Sequence, residues 1–228
     1  DPGSTYSDDM VTMPLQCGTQ WDSLAHIFWN GVMWNNKPQE LVTSQGAPVN
    51  SIDKMKNHLV TRGVLLDIAR YKGVDWLDEG YAVTGEDLDG AAARQGVQVG
   101  RGDALVVRTG HQTMCLARGN WGTYAGGDAP GLSLLTAPWL YQKEIAALCT
   151  DTWGVEVRPN EIPETPQMRQ PLHRVAIPYM GLLLGEIFYL DDLAADCAAD
   201  GVWEFLFAGS PLPFTGGVGS PTNPLAAK

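Results

Sequence analysis

The densest group of side chains able to do chemistry lies between Gln16 and His26, in the stretch QCGTQWDSLAH, where Gln16, Gln20, Asp22 and His26 all occupy even positions. In an extended chain rising about 3.3 Å per residue, alternate side chains share one face, so these residues are expected to point into a common cavity. Were the part from Asp22 helical, the i, i+4 spacing would still set Asp22 beside His26. Either geometry brings a carboxylate to an imidazole. The plainer alternative is a turn-forming or helix-capping Asp22 next to a half-buried histidine.

A second group is His173 with Glu186. Glu186 stands in GLLLGEIFYL, and a carboxylate among aliphatic residues is costly to bury unless it is paired or bound to a metal. Carboxylates together with imidazoles suit zinc, manganese or iron, and the scattered cysteines exclude a thiolate cluster of the structural zinc type. The competing assignment is a buried pair between Glu186 and Arg174. Trp153, close to Asp151, and Trp21, Trp29 and Trp34 point to a flat apolar ligand, although tryptophan is first a packing residue. His58 and His111 stand alone and are expected on the surface or in the core. Arg101-Gly102-Asp103 reads as a turn entering a strand. The Gly-rich GGVGS runs into Pro221 with no helix after it, so it is not a dinucleotide loop.

These residues need a scaffold, and the pattern supplies one of mixed α/β class. Val60 to Ala69 and Asp103 to Arg108 are apolar, β-branched runs of the buried-strand type. Thr84 starts a helix with Glu86 and Asp87 in its first turn, running to Arg94 and stopped by Gly96. Ser133 caps a helix through about Glu144, which leads into a short strand, Ile145 to Cys149. Arg158 to Pro171 is a long Pro-rich loop, and a loop of that length is more often functional than idle. An acidic helix at Asp191 to Asp200 and a strand at Val202 to Ala208 follow, and the tail from Gly209 to Pro224 is expected to be irregular surface wrapping. Helix and strand alternate, and a single domain over residues 1–228 is expected.

With 228 residues, 44% of them hydrophobic, the chain is long enough to bury a sizeable core. Fifteen Lys plus Arg against 26 Asp plus Glu leave a net charge of −11, which repels phosphate backbones and anionic lipids, so no nucleic-acid or membrane partner is expected. The longest aliphatic stretch, near Met180 to Leu184, is interrupted by Gly181 and Gly185, far short of the roughly 18 residues of a span. Cys17, Cys115, Cys149 and Cys197 form no C-x-x-C pair, read as reduced, and indicate the cytoplasm. The chain opens at Asp1 without methionine, in a polar run to Asp9, and is expected to lack an amino-terminal segment of a longer gene product.

Several stretches, in order, resemble the cyclase family of metal-dependent hydrolases, which includes bacterial kynurenine formamidase and isatin hydrolase. The family signature H-x-G-T-H-x-D-x-P-x-H is met by Gln16 to His26. Further similarity lies in GRGDALVVRTG (Gly100 to Gly110), APGLSLLTAPWL (Ala129 to Leu140), CTDTWGVEVRPN (Cys149 to Asn160) and the final PLPFTGGVGSPTNPLA. The resemblance implies a swivelling β/β/α domain in a homodimer or homotetramer. It implies metal ligands at Asp22, His173 and Glu186, with His26 as acid/base. Both metal-binding histidines of the signature are glutamine here, Gln16 and Gln20, as in a CGTQWD branch. The amides are expected to orient water or substrate, or to bind the metal weakly, leaving one divalent ion, manganese or zinc.

The expected activity is hydrolysis of a small amide, lactam or lactone, with metal-activated water and His26 moving the proton. Trp21 and Trp153 are expected to touch the small-molecule substrate. Two alternatives stand beside it: a ring-closing or dehydrating cyclase acting on a polyketide-like intermediate, and a ligand-binding relative that lost its metal.

Overall fold

The structure, a computed structural model, describes residues 3–228 apart from 164, 166 and 167. Asp1 and Pro2 of the polar run, and those three positions of the Pro-rich loop, therefore lie outside the described residues.

Buried β-branched runs form the centre of the molecule. Strand β1 is Gln20–Asp22, and a short hairpin, β2 (Val32–Met33) with β3 (Lys37–Pro38), follows it. β4 (Val60–Asp67) ends at Asp67, whose side chain accepts from the Arg70 N–H and caps α1 (Ile68–Lys72). β5 (Ala82–Val83) leads to α2 (Gly85–Gln95). Thr84 and Asp87 cap α2 reciprocally, and Gly96 ends it in a left-handed conformation, φ 69°. Then come β6 (Ala104–Arg108), α3 (His111–Arg118), β7 (Gly131–Leu132), α4 (Ala137–Lys143) and β8 (Ala147–Thr150). α5 (Pro171–Val175) runs on into a π-helical turn at Ala176–Met180, followed by β9 (Leu183–Glu186), α6 (Asp191–Asp200) and β10 (Glu204–Ala208).

Eight strands make one sheet in the order β11-β1-β9-β8-β6-β4-β10-β12, where β11 is Gly219–Pro221 and β12 is Leu225–Ala227. β4, β6, β8 and β9 are mutually parallel, and β1, β11, β10 and β12 add to the flanks in antiparallel fashion. Every residue of β6 and β8 is buried, as strands covered on both faces must be. The main core runs along this sheet and includes Leu65, Leu66, Leu105, Val107, Leu148 and Leu184.

The mixed α/β class expected from the sequence is the one observed. The tail is irregular over residues 209–218 and 222–224, as expected, and one part of that expectation is corrected: residues 219–221 form a strand. They pair with β1 at one edge of the sheet, and residues 225–227, beyond that tail, pair with β10 at the other. The tail's Gly, Pro and Ser content masked a short strand whose partner lies far away in sequence.

Candidate metal centre

β1 lies between β9 and β11, and its register brings distant residues together. Gln20 is opposite Glu186, Trp21 opposite Gly185, and Asp22 opposite Gly219 on the other side. Residues opposite one another share a face, and alternation sends Trp21 to the other one. Gln20, Asp22 and Glu186 therefore gather on one face of the sheet. His173 reaches the same place from α5.

His173 Nε2 is 3.1 Å from Glu186 Oε1 and 3.8 Å from Asp22 Oδ2. Asp22, His173 and Glu186 are all buried, and each offers a ligand atom, with those atoms all within 4.8 Å of one another. Gln20 donates from Nε2 to Glu186 Oε2 at 2.6 Å, and Gln16 donates from Nε2 to Asp22 Oδ1 at 2.9 Å. Gln16 Nε2 also touches His26 Nδ1 at 2.9 Å, and His26 Nε2 lies 3.8 Å from Asp22 Oδ1. A turn, closed by the His26 N–H on the Ser23 carbonyl at 3.1 Å, brings this partly exposed imidazole back over the strand.

The electrostatics are those of a site that favours a cation. Burial raises the Glu186 pKa and the nearby charge of Asp22 adds to it, while hydrogen bonds from His173 and Gln20 oppose the rise. For His173 burial lowers the pKa, but the carboxylates of Glu156 and Glu186 outweigh it and the net shift is upward. In addition, Gln20 Oε1 is buried without a hydrogen-bond partner. Two carboxylates and an imidazole with ligand atoms within 4.8 Å of one another, beside the unpartnered amide oxygen of the neighbouring Gln20, are donors that a divalent ion such as manganese or zinc takes, so the residues present fit such an ion.

Sequence reasoning missed Glu156. Its Oε1 accepts from both the backbone N–H of His173 at 3.0 Å and Nδ1 at 2.6 Å, and its Oε2 accepts from the Leu172 N–H at 3.0 Å. With Nδ1 donating to Glu156, Nε2 is the ring atom turned toward Asp22 and Glu186, where it donates to Glu186 Oε1 at 3.1 Å and must give up that proton before it can bind an ion. The signal was the one that singled out Glu186, a carboxylate between apolar neighbours: Val155, Glu156 and Val157 are all buried.

Beside Gln16 opens a cavity of about 530 Å³ walled by Cys17, Trp121, Tyr124, Trp153 and Ile187. Trp153 is part of this wall. Trp21 is not, which corrects its assignment to the substrate: it is fully buried, its Nε1 donates to the Gly209 carbonyl at 2.6 Å, and its ring meets Phe188 and Phe207 edge-on at 5.6 and 6.1 Å. Trp121 and Tyr124 were missed because the Gly-rich segment around them has no periodicity. Arg174 lies with its guanidinium 4.8 Å over the Trp29 ring, and the hydrogen-bond partners found for Glu186 are His173 and Gln20. His111 is buried against Tyr124, and His58 is exposed. All four cysteines are free thiols. Among the described residues no helix is long and apolar enough to cross a membrane.

The family model Cyclase matches residues 2–157. A crystal structure described as a novel cyclase is 35% identical over all of this chain and 77% of its own length, with a TM-score of 0.88. An isatin hydrolase bound to the product analogue thioisatinate shares the fold at 18% identity, covering 94% of this chain and 72% of its own, TM-score 0.67. Isatin hydrolase A from Labrenzia aggregata, bound to benzyl benzoate, does so at 19%, covering 94% and 74%, TM-score 0.67. No curated protein matches the chain significantly. Since the family model spans well over half of the residues and the match to the novel cyclase extends along all of them, the chain belongs to the cyclase family.

Proposed function

We propose that the protein is a metal-dependent hydrolase of a small amide, lactam or lactone. The observation that carries this reading is the convergence of Asp22, His173 and Glu186 on one buried point, with His26 at its rim and an aromatic-walled cavity beside it.

Asp22, His173 and Glu186 would hold the ion. When bound, it supplies Lewis acidity, polarising a carbonyl and acidifying water. The remaining work falls to side chains of this chain. Glu156 fixes the His173 tautomer so that Nε2, not Nδ1, faces the site. His26, partly exposed and held by Gln16, takes a proton from the attacking water and returns it to the leaving nitrogen or oxygen. Trp153, Trp121 and Tyr124 offer apolar faces against which a flat substrate packs, and they exclude water from that side.

Incubation of the purified protein with a panel of aryl amides, lactams and lactones in ¹⁸O-labelled water, with manganese or with chelator, tests the reading. The expected result is one ¹⁸O in the product acid with the ion present and no turnover after chelation. Loss of water from a substrate would favour ring closure. Turnover unaffected by chelation would contradict the proposal.

A further inference from the structure

Gln16 and Gln20 both turn their Nε2 ends to a carboxylate of the site, Asp22 and Glu186 respectively, but their surroundings differ. An ionised carboxylate only accepts hydrogen bonds, so each glutamine must present its NH₂ end to its acid. For Gln20, facing Glu186 at 2.6 Å, this leaves Oε1 on the other side, and that atom is buried and unpartnered in a residue only 3% exposed. Gln20 shares a face with Asp22 and sits directly across from Glu186, so its amide belongs to the wall of the same site. For Gln16, facing Asp22 Oδ1 at 2.9 Å, the NH₂ group is wedged between Asp22 and His26. An amide NH₂ has hydrogens to give and no lone pair for a cation.

The seat of Gln16 is itself built. Gly219 lies opposite Asp22 on β11, and a Cβ there would fall 2.8 Å from Gln16 Cγ and Cδ. Only the missing side chain lets Gln16 lie across the strand with its NH₂ at Asp22.

We propose that Gln20 joins Asp22, His173 and Glu186 as a ligand through its amide oxygen, while Gln16 bars a second cation with its amide hydrogens. The chain then holds one ion among three oxygens and one imidazole nitrogen. Oxygen donors suit manganese, whereas imidazoles favour zinc, so the pair of glutamines sets both the number and the kind of ion. This inference rests on the metal-dependent reading above and adds to it the ligand set, the count and the selectivity.

Calorimetric titration with manganese and with zinc, together with pulsed electron paramagnetic resonance of the manganese-loaded protein, tests it without any assay of activity. Wild type is expected to take one ion with one directly bound nitrogen, and this measurement depends on no variant's folding. Gln20→Leu should lower manganese affinity by about 10- to 100-fold. Gln20→His should raise zinc affinity relative to manganese by about tenfold or more and show a second bound nitrogen. Gln16→His should admit a second ion. A wild-type stoichiometry of two, or a Gln20→His protein that melts normally with an unchanged zinc-to-manganese ratio, overturns this inference alone. A wild type that binds neither metal overturns the metal-dependent reading as well.

Discussion

Glu156 grips His173 twice, taking its backbone N–H at 3.0 Å and its ring Nδ1 at 2.6 Å with the same carboxylate oxygen. One buried acid thus sets both the start of α5 and the direction of the imidazole. Glu156→Gln keeps the shape but loses the charge that holds the tautomer. It is expected to lower metal affinity by about 10- to 100-fold with little change in fold. Calorimetry alongside circular dichroism checks this, and unchanged affinity would remove Glu156 from the account.

Protons and the ion compete for the same atoms. The pKa values of His173 and Glu186 are both raised in the metal-free protein, so the folded state binds more protons than the unfolded state between the ordinary and the raised values. The stability contributed by these groups is present at acidic pH and is lost as pH rises through the raised values. Metal binding has the opposite sign, because the ligands must shed those protons. The melting temperature gained on adding manganese should therefore be larger near pH 8.5 than near pH 6, and an equal gain at both would contradict the coupling.

His26 touches Gln16 and stands partly exposed at the rim, its Nε2 3.8 Å from Asp22 Oδ1 and outside the set Asp22, His173 and Glu186. His26→Ala is expected to lower kcat by about 10² to 10⁴ with metal content unchanged, the usual worth of general acid–base catalysis. Steady-state kinetics on the best substrate of the panel, with metal analysis of the same sample, measures both.

Gly219 supports the site from the far end of the chain. In Gly219→Ala the new methyl meets Gln16, which must leave Asp22 and His26. The expected cost is about 1–3 kcal/mol of stability from overpacking, with turnover falling about 10- to 100-fold. Wild-type turnover in that variant would show that Gln16 has no part in the chemistry.

The two tryptophans once grouped together should separate. Trp21→Ala is expected to cost about 3–5 kcal/mol in denaturant unfolding, as fits a large core side chain. Trp153→Ala should leave stability nearly unchanged and raise KM. A reversal of these two phenotypes would mean that the cavity beside Gln16 is not where substrate binds.

Much of this was legible in residues close together along the chain. Thr84, Asp87 and Gly96 announced α2 through local capping chemistry, and the structure shows those hydrogen bonds. Alternation correctly put Gln20 and Asp22 on one face, and the same rule should have removed Trp21 from the substrate, since it stands between them. What could not be read was long-range pairing. That β1 lies between β9 and β11 depends on partners more than 160 positions later, and the small residues of β11 carry no strand pattern of their own. Glu186 was found because its apolar neighbours made an unpaired carboxylate implausible, whereas Glu156, in a similar setting, was passed over inside a stretch read for its family likeness.

The most direct test of the account is metal content. Wild type and Glu186→Gln, both purified without chelator and loaded with manganese, are compared by plasma mass spectrometry after desalting, with circular dichroism confirming that both are folded. The account predicts about one ion per wild-type chain and a large loss in the variant, because a neutral amide is a far weaker ligand than the buried carboxylate beside His173. A folded Glu186→Gln protein that retains the full wild-type content would contradict it.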